Sequence, residues 1–187
     1  VEITVLRTDR LVLSPPSPDD AEAIFAACQD PVLQQYTTVP APYERHHADD
    51  FIAKTQTWWD EGAEVTWAIR ADGLLVGMIG VHALKDEEGE IGYWMADAAR
   101  GQGYLVEAGR AVVDVALDPQ GLALVRLGWR AIAGNIASAR AARALGFRYE
   151  GLLRQGLHGP RGHHDGWIAA LLPTDVRMPQ PWPVLAD

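Results

Sequence analysis

A single cysteine, Cys28, stands in 187 residues, so no internal disulfide can form and the fold must rest on its core. Its neighbours Phe25, Ala26 and Ala27 mark it as a small buried hydrophobe without a chemical role. No apolar run approaches the roughly 20 residues that span a bilayer. The opening Val1-Glu2-Ile3-Thr4-Val5-Leu6-Arg7 lacks the basic-then-apolar order of a secretory signal, so the cytoplasm is the expected compartment. Basic residues are scarce as well: sixteen Lys and Arg against twenty-five Asp and Glu leave a formal charge of −9. Such a surface repels polyanions, which argues against nucleic acid as a partner and leans towards a cationic one such as an amine. An anionic ligand would need a local device to overcome that field. Metal-binding patterns are missing too. His46 and His47 precede Asp49 and Asp50, and His163-His164-Asp165 stand in a row, but there is no His-Glu-x-x-His or cysteine set, and adjacent strand residues point to opposite faces. No metal is expected.

What is present is an ordinary globular mix, 48% hydrophobic and 22% charged, without repeats or a low-complexity linker. One domain spanning residues 1–187 follows. An extended segment, Leu6 to Leu13, leads through a proline-rich turn into a helix from Pro18 to Cys28, with Ser17 as its cap and Asp19 and Asp20 in its first turn. Ala48, Phe51, Ile52, Thr55, Trp58 and Trp59 share a face of a second helix, Glu44 to Glu61, which Gly62 ends. The two tryptophans close the core or line a binding mouth. Glu64 to Arg70 and Leu74 to Leu84 make a hairpin, and Glu90 to Met95 resumes as a strand after the polar turn Lys85 to Gly89. Tyr104 to Leu117 is helical and stops before Pro119. Leu122 to Ala131 alternates as a strand, Asn135 to Leu145 is an alanine-rich helix, and Phe147 to Leu153 and Trp167 to Leu172 are two further strands. This order predicts a mixed α/β sheet of about seven strands flanked by about four helices. The tail Pro179 to Leu185 is too rich in proline for a helix or an inner strand and must pack on something, its own domain being preferred to a neighbouring subunit. Arg154, Arg161 and Arg177 read as solvated surface.

The sharpest local feature is a strand, then Arg100-Gly101-Gln102-Gly103-Tyr104, then a helix that opens at once. Glycines let a ligand approach the backbone, and the unpaired N–H groups of a first helical turn favour an anion. With Arg100 they would supply positive potential in an acidic protein, and the group they suit is a phosphate. A dinucleotide-binding reading fails because Val106 stands at the third glycine position and the loop lies past mid-chain. A Walker loop fails for want of Gly-Lys-Ser or Gly-Lys-Thr.

Nearly the whole chain resembles the GNAT acetyltransferases, and within them the RimJ/RimL branch that acetylates ribosomal-protein N-termini. The resemblance runs from Thr8-Asp9-Arg10-Leu11-Val12-Leu13 and Asp20-Ala21 through Asp30-Pro31, Gly77-Met78-Ile79-Gly80 and Glu90-Ile91-Gly92-Tyr93-Trp94. It continues over Arg100 to Ala108 and ends on Asn135-Ile136-Ala137-Ser138, Gly146 to Gly151 and Asp165. It implies acetyl-CoA, or another short acyl-CoA, held in a splay between the fourth and fifth predicted strands. Trp94 and Met95 would pair with the pantetheine amides, and Arg100, Gly101, Gln102, Gly103 and Tyr104 would hold the pyrophosphate. Leu105 stands where the superfamily usually has Gly or Ala, which implies a slightly wider gap there.

The same resemblance puts Asn135 beside the pantetheine arm and Ser138 near the sulfur, where its hydroxyl could protonate the leaving thiolate. By residue type alone, Asn135 is equally a helix cap. Transfer to an amine needs a proton acceptor. Glu90 holds a position used for a base elsewhere in the superfamily, and His82 on the preceding strand is a second candidate. The acid that some ribosomal acetyltransferases carry beyond Glu150 is replaced by Leu157, with His158 next to it. The resemblance implies an acyl-CoA-dependent N-acyltransferase, monomeric or homodimeric. The alternative is a non-catalytic acyl-CoA-binding module on the same fold, which the directions of Glu90 and Ser138 discriminate.

Overall fold

The computed structural model describes residues 5–159 and 162–185; the expectations for Val1 to Thr4 and for Arg161 fall outside these. Central strands with apolar side chains on both faces require cover on both sides, and the chain is layered accordingly. The strands are β1 (Leu6–Arg7), β2 (Leu11–Ser14), β3 (Val65–Ala71), β4 (Leu74–Lys85), β5 (Glu88–Met95), β6 (Arg126–Ile132), β7 (Arg148–Gly159) and β8 (Gly162–Leu171). They form one sheet in the order β1-β2-β3-β4-β5-β6-β8-β7. Every neighbouring pair is antiparallel except β5 and β6.

Helices α4 (Tyr104–Leu117) and α5 (Ile136–Ala144) cover one face, burying Val112 and Ala142 against Ile79, Ile91 and Leu127. The other face carries α1 (Ala21–Ala27), α2 (Pro31–Tyr36) and α3 (Arg45–Glu61), where Ile24, Leu33 and Ile52 pack with Ala68 and Met78. Asp20, in the short turn before α1, is buried and takes both guanidinium N–H groups of Arg70 at 2.6 and 2.8 Å. Cys28 is buried as expected, and its desolvation pushes the thiol up to about 11.

Several boundaries differ from the sequence reading for local reasons. Leu6 to Leu13 is a hairpin rather than one strand, because Thr8 turns the chain: its backbone N–H donates to Leu11 O and its hydroxyl accepts from Leu11 N, both at 3.0 Å. Leu122 to Val125 is not strand. Leu122 and Leu124 donate their N–H groups to Val115 and Ala116 at the end of α4, so their apolar alternation reflects burial under that helix. Helix α2 is too short to show a period, although Asp30 caps it, accepting from Val32 N at 2.9 Å, and Pro31 opens it. The proline-rich tail lies on its own domain. Trp182 is 2% exposed, its ring is 5.4 Å from that of Trp129, and its indole N–H donates to Phe147 O at 3.1 Å.

Candidate active site

The parallel pairing of β5 with β6 runs only from Glu88↔Arg126 to Ile91↔Trp129. Beyond it each strand keeps its outer neighbour, β5 with β4 as far as Gly77↔Met95 and β6 with β8 as far as Ile132↔Gly166. The two therefore diverge, and the backbone from Gly92 to Met95 borders a gap, as the expected splay requires. An open edge of this kind can bond an extended amide ligand. A cavity of about 790 Å³ passes through the gap, bordered by Trp94, Tyr93 and Ser138 as well as by Glu90, His82 and Trp58.

The loop from Arg100 to Tyr104 joins the splayed strand to α4. Gly101 and Gly103 have φ of 75° and 78°, and Gly103 is the N-cap of α4. A Cβ on Gly101 would meet nothing within 4 Å, and one on Gly103 only Arg10 Nη2 at 3.6 Å. Backbone conformation, not crowding, is what demands glycine here, and the space beside the loop is open. The N–H groups of Tyr104, Leu105 and Val106 have no partner within the helix. Arg10 braces this start: its Nε donates to Glu107 Oε2 at 2.7 Å, its Nη1 donates to Gln102 O at 3.1 Å, and its guanidinium lies 4.8 Å from the centre of the Tyr104 ring.

Arg100 departs from expectation. Its guanidinium is not free above the loop but donates to Asp30, to Asp97 Oδ1 at 3.0 Å and to the Met95 carbonyl at 3.1 Å. Two carboxylates neutralise its charge locally, so it braces the loop, and the positive potential left there comes from backbone N–H groups, Arg10 being paired in turn with Glu107. One lone pair of the Met95 carbonyl is thereby taken.

Alternation along β5 sends Tyr93 to the α5 face and Glu90, Gly92 and Trp94 to the face of α1 and α3. On the α5 side, the Tyr93 hydroxyl donates to Ser138 O at 2.9 Å, Ser138 Oγ donates to Tyr93 Oη at 3.3 Å, and Trp129 Nε1 donates to Ser138 Oγ at 3.2 Å. Desolvation pushes the Tyr93 hydroxyl far above its ordinary range, so it stays protonated. Asn135 caps α5, its Oδ1 accepting from Ser138 N at 3.2 Å, which leaves its amide N–H groups as donors for a ligand.

On the other side Glu90 is held between two strands. Its Oε1 faces His82 Nε2 at 3.2 Å and its Oε2 accepts from Arg130 Nε. Burial works to raise its carboxyl, but the His82 and Arg130 interactions outweigh burial and hold it below the usual carboxylate range. Leu157 and His158 reach the same cavity from β7. Among the described residues no three His, Cys, Asp or Glu side chains gather as a metal-binding group, and no helix is long and apolar enough to cross a membrane.

Sequence reading missed Tyr93, Trp129 and Arg130. Strand alternation from Glu90 would have placed Tyr93 opposite it, but the pairing of Arg130 with Glu90 depends on a parallel register between strands 40 residues apart, which no local pattern encodes.

Residues 10–148 match the family described as the acetyltransferase (GNAT) domain. YoaA of Bacillus subtilis (strain 168), described as an uncharacterized N-acetyltransferase, is 33% identical over 155 residues, which are 81% of this chain and 86% of that one. The solved RimL ribosomal L7/L12 alpha-N-protein acetyltransferase in complex with coenzyme A superposes with a TM-score of 0.82 at 19% identity, over 90% of this chain and 98% of its own. RimJ of Mycobacterium smegmatis in complex with CoA-disulfide gives 0.80 at 20% identity, over 91% of this chain and 86% of its own. With a matched region that includes the splayed strand, the glycine loop and the helix bearing Ser138, this chain belongs to the GNAT acetyltransferase family.

Proposed function

We propose that the protein transfers a short acyl group, acetyl in the first instance, directly from acyl-CoA to a primary amine, either a peptide N-terminus or a small molecule. The observation that carries this reading is a continuous cavity at the splay, with Ser138 on one face of the sheet and Glu90 on the other. The cofactor's pyrophosphate would lie on the N–H groups from Gly101 to Tyr104, and its pantetheine arm along Trp94 and Met95, reached by Asn135. The amine would enter from the side of α1 and α3. Its proton leaves towards Glu90, directly or through a group between them, and the hydroxyls of Ser138 and Tyr93 supply the proton or hydrogen bond that the departing thiolate needs.

Ser138 Oγ donates to Tyr93 Oη, so helping the sulfur requires a rotation of one hydroxyl. Cys28 borders the cavity but is buried and kept as a thiol, which supports direct transfer rather than an acyl-enzyme. The test is release of free thiol from acetyl-CoA and succinyl-CoA against panels of amines and peptides. Acetyl-CoA with at least one amine should give stoichiometric amide and thiol. Tight CoA binding without transfer to any acceptor would favour the non-catalytic binding module instead.

A further inference from the structure

Resting on that acyl-transfer reading, we infer that His82 is the group that touches the amine and takes its proton at Nδ1, with Glu90 as the positioning carboxylate behind it. His82 and Glu90 stand directly opposite each other on β4 and β5, and the imidazole turns its Nε2 to Glu90 Oε1 at 3.2 Å. The other edge of the ring lies over Gly92, where a Cβ would meet Cε1 at 3.0 Å and Nδ1 at 3.3 Å. Gly92 is the first residue of β5 beyond its last pairing with β6, so this edge sits where the strands part. The histidine side chain is 37% exposed, whereas that of Glu90 is 18% exposed and has one oxygen against His82 and the other against Arg130. Of the two, His82 is the one with an unengaged atom turned to the splay.

The chemistry follows from the partners. An ionised carboxylate can only accept, so His82 Nε2 must carry the hydrogen and the neutral ring keeps its lone pair on Nδ1. Arg130, on the far side of Glu90, keeps that carboxylate ionised. From a neutral amine, nitrogen attacks the thioester carbon and the C–N bond forms. One N–H proton passes to Nδ1, and the C–S bond breaks with its electron pair leaving on sulfur. The imidazolium so made is stabilised by Glu90 and returns its proton to solvent or to the thiolate, so that amide and free thiol are the products. Other charged or titratable groups around the cavity are Glu64 just before β3, His47, Asp50 and Lys54 on α3, His158 on β7, the Cys28 thiol and the hydroxyls of Tyr36, Tyr43 and Tyr93.

Two measurements test this. Long-range ¹H–¹⁵N correlation of the imidazoles, with His82 assigned by its loss in His82→Gln, should find its neutral form protonated at Nε2. A proton on Nδ1 would overturn the inference, and this needs no acceptor. With an accepted amine, His82→Gln should lower kcat by about 10³-fold at unchanged CoA affinity and abolish the rising limb of the pH profile. Glu90→Gln should lower it by only about 10- to 100-fold and move that limb to lower pH, because losing the anion destabilises the imidazolium. Wild-type rates in a folded His82→Gln variant would return the base to Glu90. Failure to acylate any amine would defeat the acyl-transfer reading, while the tautomer would still judge the His82–Glu90 pair.

Discussion

Glu90 and Ser138 open onto one cavity from opposite faces of the same sheet. In the proposed reaction, donor and acceptor chemistry would thus be separated by the thickness of a strand and meet only where β5 and β6 part. Substitutions on the two sides should have separable effects. Glu90→Gln should reduce kcat by about 10- to 100-fold and leave the Kd for CoA nearly unchanged, and the loss should be largest on the high-pH plateau, because the variant's rising limb lies at lower pH. Ser138→Ala should cost only about tenfold, because a thiolate is a tolerable leaving group near neutral pH. Stopped-flow turnover with calorimetric CoA binding checks both.

The glycine loop predicts a binding defect without a folding defect. Gly103 has φ of 78° with open space beside it, so Gly103→Val would strain the backbone and put a branched side chain where an anion would approach. The Kd for CoA should rise severalfold or more while the far-ultraviolet spectrum stays native. Unaltered CoA affinity in the folded variant would remove the loop from the cofactor site.

Asp20 predicts an acid-dependent loss of stability. Burial works to raise its carboxyl, but Arg70 and the Ser17 N–H outweigh this and lower it. A group whose folded pKa lies below its unfolded value of about 3.9 stabilises fully above that pH, and the contribution fades as the pH falls through the folded value. Asp20→Asn leaves Arg70 without its anion and should cost about 3 kcal/mol at neutral pH. Its stability should then fall less steeply than wild type below about pH 4, as read by urea unfolding across that range.

Trp182 predicts that the tail belongs to the core. It packs with Trp129, the residue that donates to Ser138, and its own N–H is satisfied by Phe147. Trp182→Ala should cost about 3 kcal/mol or more and lower Tm on the order of 10 °C, and truncation after Met178 should do at least as much. An unchanged Tm would mean the tail is dispensable.

Local sequence determined a good deal here. The bounds of α4, the end of α3 at Gly62, the glycine loop and the order of the longer strands and helices follow from helical period, caps and turn residues, which act over a few neighbours, whereas the β1–β2 hairpin and α2 do not show. Glu90, Ser138 and Asn135 are candidates only through the family resemblance, which rests on short contiguous motifs around them. Tertiary structure decided the rest. Arg100 looks like a phosphate ligand in the chain, yet it is tied to Asp30, 70 residues away. His82 looks like a core histidine until β4 and β5 pair in the register that sets it against Glu90. Tyr93 acquires its partner only when α5 docks on the same face. Register, face and the point where two strands diverge are settled by packing between distant segments, and those are the relations that decide which atoms of this site are free.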